Sequence, residues 1–391
     1  MLWRQWGLKD NPYSLNEIDE TTLDLFVGRG SEIKSLQSAF ARNKRVVFIE
    51  GERGVGKSSL GNSLRYSSMQ KRLCFTPYAE ICVAQPLSFY PFILKVLEVL
   101  NWSLPQNHPF VSRDVEFKTY EKKFRELFEQ IAIHPTGETH SHPEDYYLGT
   151  VKELFVSLSQ ILSKLGYEYG PLIQVSFPEL NTPGKNAFQK NLSNLFVIEG
   201  VRWLLIGNPM LEELLYYPNS EILSDDLYKI SINSLELPQI HELLLRRRDY
   251  LALIQSARLP LTPEVIDYLY LLSGGDLKKM FSVFEKISEL ANVSQAALEI
   301  DLKTAKPLIA KYFQDEIRRK WKLTATSAEI LNLLVKEEGA SPGFIAERIK
   351  KLRPNVSRNL MHLIQTDLVR MQAKGRHRVY YPSMEAKIAF T

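Results

Sequence analysis

Long apolar runs are missing from this chain. No stretch approaches the roughly 18 residues that a membrane-crossing helix needs, so no membrane partner is expected. The opening residues, Met1 to Trp6, hold no apolar signal-peptide core, and a cytoplasmic location is expected. Cysteine is scarce. Cys74 and Cys82 are the only two, both in apolar, strand-like sequence and not at zinc-site spacing. That argues against a disulfide framework and points to buried free thiols in a reducing compartment. Internal repeats and low-complexity tracts are lacking as well. A large charge excess is also absent, with a net of +4 over 391 residues. What excess there is lies unevenly. Residues 320–391 carry 13 Lys and Arg against 6 Asp and Glu, a net of +7, while the remainder sums to −3. The C-terminal segment alone is therefore expected to meet a polyanion.

What is present is an ordinary globular composition, 45% hydrophobic and 24% charged, in a chain long enough for two or three domains. Its most informative stretch is Gly51-Glu52-Arg53-Gly54-Val55-Gly56-Lys57-Ser58-Ser59, a complete P-loop. The apolar run Val46-Val47-Phe48-Ile49 precedes it and a helix-forming run from Leu60 to Tyr66 follows. The motif thus sits in its required strand–loop–helix context. Glycines at 51, 54 and 56 let the backbone curl so that its N–H groups face a phosphate. The helix N-terminus adds partial positive charge. Lys57 is expected to reach the β- and γ-phosphates, and the Ser58 hydroxyl to ligate Mg²⁺.

Along the rest of the chain, Ser31 reads as the N-cap of an early helix. Leu73 to Ala84 reads as a strand, followed by a helix from about Ser88 to Leu100. Residues 101–150 look like an insertion, with an amphipathic stretch from Val115 to Ile133 and a polar loop from His134 to Glu144. Strands are expected over Pro171–Phe177 and Val201–Gly207, with helices near Val151–Leu165 and Asn186–Phe196. Strands alternating with helices argue for a parallel sheet. From Leu237 to about Phe313 the pattern is helical, broken at Gly274-Gly275. Then come helices over Thr326–Glu338, Pro342–Leu352 (capped by Ser341) and Pro354–Leu368, and a hairpin turning at Lys374-Gly375. Three helices and a hairpin are the plan of a winged helix-turn-helix.

With these motifs in place, the chain resembles an AAA+ P-loop ATPase of the initiator, origin-recognition-like group with a C-terminal winged helix. The resemblance implies an α/β fold in three parts. Residues 1–230 are the nucleotide-binding core, with 101–150 as a probable insertion, 231–320 a helical lid, and 321–391 a winged-helix DNA-binding domain. Val27-Gly28-Arg29 looks like the segment that contacts adenine, and Gly51 to Ser58 matches Walker A. The strand 172–177 with Glu179 stands at the Walker B position. Asn208 looks like sensor 1, and Lys278 stands at the sensor 2 position. In the third helix of the C-terminal module Arg353, Asn355, Ser357, Arg358 and His362 are candidates for DNA contact. Lys374, Arg376 and Arg378 are candidates at the wing.

The departures are specific. A Walker B strand should end in Asp-Glu, and this chain reads Phe177-Pro178-Glu179-Leu180-Asn181. Proline has no side-chain oxygen to hold Mg²⁺, so a weaker Mg²⁺ dependence is expected. Where an arginine finger would fall, between Gly207 and Leu245, the only basic residue is Lys229. Both features predict slow or absent hydrolysis. Under another register the acid comes from Glu168 or Asn181, and the finger from Arg246, Arg247 or Arg248. His134, His140 and His142 with Glu138 and Glu144 have metal-ligand chemistry but sit in a Pro- and Gly-containing loop, read as solvated. Expected ligands and partners are ATP or ADP with Mg²⁺, double-stranded DNA, and a homo-oligomer or effector protein. Three functions stay open: an initiator- or loader-like DNA-binding ATPase; a signal-transducing ATPase gating a partner in transposition, transcription control or defence against mobile DNA; and a degenerate scaffold.

Overall fold

The computed structural model describes residues 2–42, 44–52, 54–83, 89–133, 143–177, 196, 198–207, 227–293, 299–321, 323–374 and 377–390. The chain divides into two compact units. One is Asn16–Leu235, and the other joins Met1–Leu15 to Glu236–Thr391. The boundary therefore falls a few residues beyond the expected 230/231, and the first residues belong with the C-terminal half.

The first unit is built on a parallel sheet of β1 (Val46–Glu50), β2 (Ile81–Cys82), β3 (Leu172–Ser176), β4 (Arg202–Gly207) and β5 (Leu227–Ser231), in the order β2-β3-β4-β1-β5. β1, β3 and β4 are buried along their whole length, as continuous apolar strands covered on both faces are. Successive side chains point to opposite faces. Val46 and Phe48 enter one core with Trp203 and Leu205, while Val47 and Ile49 enter the other with Leu204 and Ile206. The second face is covered by α1 (Gly30–Ala41) and α2 (Lys57–Gln70). The first is covered by α3 (Phe89–Asn107), α4 (Val115–Ile133) and α5 (Pro143–Lys164). The region expected as an insertion is thus part of the principal core. Phe117, Tyr120 and Phe124 of α4 lie in the same cluster as Phe48 of β1.

Several local expectations are corrected. The strand expected over 73–84 shrinks to Ile81–Cys82. Upstream of it, Leu73 and Phe75 give their carbonyls to the N–H groups of Tyr169 and Leu172, at 2.8 Å each, in irregular pairing, and Pro77 has no N–H to offer. Ser31 is not the N-cap of α1. The helix begins at Gly30 after Arg29, and the Ser31 hydroxyl donates to Glu32 Oε2 at 2.6 Å. Cys74 is buried, which pushes its thiol up to about 12, but Cys82 is exposed. β5 was not anticipated, because its Leu-Tyr-Lys-Ile-Ser is a half-buried edge strand without a long apolar run.

In the second unit α6 (Leu237–Leu251), α7 (Pro263–Ser273), α8 (Leu277–Val293) and α9 (Leu302–Trp321) form the helical stretch, with Gly274-Gly275 separating α7 from α8. Tyr13 is buried against Phe284, with ring centroids 5.1 Å apart, and Trp3 meets Trp6 at 5.7 Å. α10 (Ala325–Lys336), α11 (Pro342–Arg348) and α12 (Arg353–Gln365) follow. After them come the antiparallel pair β6 (Val369–Lys374) and β7 (His377–Pro382), then an unexpected α13 (Met384–Phe390). Thr324 and Ser341 cap α10 and α11 with their hydroxyls. Three helices are thus followed by an antiparallel pair and a short last helix.

Gly170 tests how tightly the entry to β3 is packed. A Cβ there would stand 1.5 Å from the Gly200 carbonyl oxygen, a backbone group that cannot rotate away. We expect Gly170→Ala to destabilise the unit by about 1–3 kcal/mol, read as a lowered urea midpoint. An unchanged midpoint would show that the two segments separate freely.

Candidate functional site

Parallel strands bring their C-terminal ends to one edge, where ligands of open α/β sheets bind. Glu50 is level with Gly207 of β4 and Ser231 of β5, and Ser176 of β3 with Ile206. The P-loop leaves β1 at that edge. Gly51 has φ +158°, and a Cβ on it would lie 2.5 Å from the Ile232 carbonyl oxygen. Only glycine lets β1 turn there. Gly56, at φ +93°, is the left-handed residue that opens α2. Lys57 Nζ donates to the carbonyls of Gly51 at 2.8 Å and Glu52 at 2.7 Å. Burial lowers its pKa and the nearby Glu52 charge partly restores it. The lysine is held across the mouth of its own loop, with carbonyl oxygens as its acceptors.

Arg29 has a different place from the one expected of an adenine-contacting residue. It is buried, and its guanidinium donates to the Val55 carbonyl at 3.2 Å, to the Asn233 carbonyl, and to Glu32 at 3.0 Å. It ties the P-loop to the segment after β5. Val27 is buried beside it and Gly28 has φ +75°. Lys229 is on β5 with its ammonium 3.1 Å from Glu50 Oε1, and Ser231 donates to the same oxygen. Lys229 thus forms an intra-sheet ion pair. The alternative acid Glu168 precedes β3, at the N-terminal edge of the sheet, away from the P-loop, so it cannot serve as the Walker B acid.

The alternative fingers are engaged within the second unit. Arg247 donates to the carbonyls of Pro12 at 3.2 Å and Ser14 at 2.7 Å and stacks on Phe281. Burial brings its pKa down to about 10. Arg246 pairs with Glu242 and Arg248 with Asp249, each at 2.7 Å. Lys278 is exposed in the first turn of α8. Arg53, Pro178, Glu179, Asn181, Asn208 and Arg376, with His134, Glu138, His140 and His142, lie outside the described residues.

β4, the strand that runs into Asn208, lies between β1 and β3. Two acids that no motif announces lie at the same edge. Asn62 of α2 donates to Glu17 Oε2 at 3.3 Å, and the Ser58 hydroxyl donates toward the same carboxylate. Glu80, just before β2, accepts from Gln174 Nε2 at 2.5 Å and from Ser176 Oγ at 2.9 Å. Oxygen donors beside Ser58 are the chemistry Mg²⁺ takes. Among the described residues no three His, Cys, Asp or Glu side chains gather to hold a metal unaided.

In the C-terminal module Arg353, Asn355, Ser357, Arg358 and His362 are all exposed on α12, while Val356, Leu360 and Leu363 face the core. Asn359 fixes the helix. Its Oδ1 accepts from Ser327 Oγ at 2.8 Å and its Nδ2 donates to the Asn355 carbonyl at 2.8 Å. Arg378 is exposed on β7 opposite Ala373, and Lys374 ends β6 opposite His377.

No family model matches this chain, and no curated protein matches it. Among solved structures it is similar to the Aeropyrum pernix ORC1 protein in complex with DNA, at 15% identity over 95% of this chain and 96% of that one, with a TM-score of 0.48. It is also similar to the Aeropyrum pernix ORC2 protein in its ADPNP and ADP complexes, at 14% identity over 98% of each chain, TM-score 0.47. The Walker-type ATPase of Pyrococcus abyssi gives 13% identity over 97% of this chain and 99% of that one, TM-score 0.47. Similarity this distant adds nothing to the residues themselves.

Proposed function

We propose that the chain binds ATP or ADP with Mg²⁺ at the P-loop and duplex DNA at its C-terminal module, as an initiator-like protein with little hydrolysis of its own. One observation carries the nucleotide reading. A P-loop lies at the C-terminal edge of a buried parallel strand, with Gly51 and Gly56 in backbone conformations that clear a cradle, and with Lys57 closing it. A phosphate would replace the two carbonyls as acceptor of the Lys57 ammonium, an exchange of dipole partners for a full negative charge. Backbone N–H groups at the start of α2 would add to that field. Mg²⁺, when bound, would neutralise phosphate charge from the Ser58 side. The DNA reading is supported by an exposed, basic α12 and hairpin, in the segment that holds the chain's positive excess.

Lys57→Ala should abolish ATP binding in calorimetry, because it removes the positive charge expected to hold the γ-phosphate. Equal affinity in the variant and the parent would refute the nucleotide site.

Turnover should be near background in the purified chain, since Lys229 and the three arginines at 246–248 are engaged in ion pairs or carbonyl contacts and Pro178 takes the aspartate position. A steady-state rate of about 1 s⁻¹ or more, in the usual enzyme range, would show that a complete catalytic set is present.

DNA affinity should fall as salt rises. Neutralising about four phosphates gives a slope of log K against log[salt] of roughly −3.6. Replacing Lys374, Arg376 and Arg378 together by Ala should flatten that slope and weaken all sequences alike. Asn355→Ala or Arg358→Ala should weaken a preferred site more than random duplex. A salt-independent affinity, or none at low salt, would make the module a protein-binding one.

A further inference from the structure

The buried face of α2 that follows the P-loop carries an arrangement that the nucleotide reading alone does not require. Ser58, Asn62 and Arg65 recur at helical spacing and share that face. Arg65 is 1% exposed, which is costly for a guanidinium unless its charge and donors are met. Its donors go to Thr76 Oγ1 at 2.8 Å, to Asn62 Oδ1 at 3.2 Å and to the Pro77 carbonyl. Among the described residues none of these bonds reaches a carboxylate, yet both Glu17 and Glu80 are close enough to act on its charge. They also act on each other, and Ser58 and Asn62 both hydrogen-bond Glu17.

Glu80 is fixed from the adjoining strand. Gln174 and Ser176 are alternate residues of β3, and both donate to its Oε2, so its second oxygen takes neither bond. Ile81, the residue after Glu80, is level with Val175. A carboxylate is thereby delivered to the end of β3 from the neighbouring chain segment. In sequence, β3 runs on into Phe177-Pro178, which have no side-chain oxygen. A further polar atom in this layer is unsatisfied. Gln174 is fully buried, and its Oε1 has no partner; it lies 2.8 Å from where a Cβ on Gly61 would be, on the turn of α2 after Ser58. Its amide orientation is set by the Nε2 bond to Glu80. Two carboxylates therefore face one guanidinium next to the hydroxyl assigned to Mg²⁺, together with an orphaned amide oxygen. The ligand atoms gathered there are oxygens, the ligand type of a hard divalent cation.

We propose that Glu17 and Glu80 supply the Mg²⁺-side carboxylates of the nucleotide site, from the entry segment and from the edge of β2, in place of the aspartate absent from the end of β3. The inference rests on the P-loop being an ATP site. It reverses the weak Mg²⁺ dependence that Pro178 alone would imply. Glu17 reaches the ion beside Ser58, and Glu80 holds it or its water shell from the β3 side.

The test is an equilibrium titration of the intact chain with a fluorescent ATP analogue, in EDTA and across MgCl₂ concentrations, for the parent, Glu17→Gln and Glu80→Gln. The parent should bind at least about tenfold tighter with Mg²⁺. Each variant should bind in EDTA as well as the parent and raise the Mg²⁺ midpoint by about tenfold or more, the scale of losing a metal-site partner. Wild-type midpoints in both variants would overturn the proposal and leave the nucleotide site standing. So would a parent indifferent to Mg²⁺. Loss of binding in EDTA by the variants would show that the acids serve Arg65 and the fold, and would overturn it too. A parent that binds no analogue in either condition would remove the ATP reading itself.

Discussion

The close passage of Gly51 beneath the Ile232 carbonyl is the constraint on which the nucleotide edge depends. β1 is paired on both sides, by β4 and β5, and has no freedom to shift. The chain must leave it within the space that β5's continuation allows, and a Cβ would stand 2.5 Å from that carbonyl oxygen. Arg29 closes the same corner from the other side by bonding the Val55 and Asn233 carbonyls. A buried guanidinium with three acceptors contributes rigidity at a cost in desolvation that those bonds must offset. The loop is thus held from both flanks, by backbone contact and by a charged staple, before any phosphate arrives. Preorganised N–H groups are what make such a loop bind an anion without first paying to order it.

Much of this was legible in the sequence, for physical reasons that can be named. Buried parallel strands read as continuous apolar runs, so Val46–Ile49, 172–177 and 201–207 stood out. The P-loop spacing fixed the strand–loop–helix around them. The α10–α12 helices and the β6–β7 hairpin were visible because Ser341, the following proline and the Lys374-Gly375 turn punctuate them. What escaped was set by long-range pairing. β5 is an edge strand with Tyr and Lys at its centre, and only its pairing to β1 makes it a strand. The 73–84 segment has the apolar content of a strand, but Leu73 and Phe75 are diverted into irregular bonds with Tyr169 and Leu172.

The candidate site divides along the same line. Lys57 and Ser58 are local motif residues, legible from spacing alone. The carbonyl bonds of Arg29 to Val55 and Asn233 come from segments far apart in sequence and leave no trace in the motif. Glu17 and Glu80 lie 41 and 22 residues from Ser58 in sequence and belong to no pattern. The only trace of them in the sequence was negative: a proline where the strand end should offer an acid. A missing ligand is a cue to look for charge on the neighbouring strands.

Arg65 shows why such a transfer can be tolerated. A carboxylate at a sheet edge next to another carboxylate resists ionisation, and an uncharged acid is a poor ligand for a hard cation. A buried guanidinium near both acts on them without occupying their oxygens, because its own donors go to Thr76, Asn62 and Pro77. The arginine thus acts as a fixed counter-charge rather than as a bonded partner. Its place on the Ser58–Asn62 face of α2 ties that counter-charge to the helix the P-loop opens. Moving the acid from the end of β3 to the edge of β2 therefore leaves the charge balance of the site anchored to α2, the one element that also carries Lys57 and Ser58.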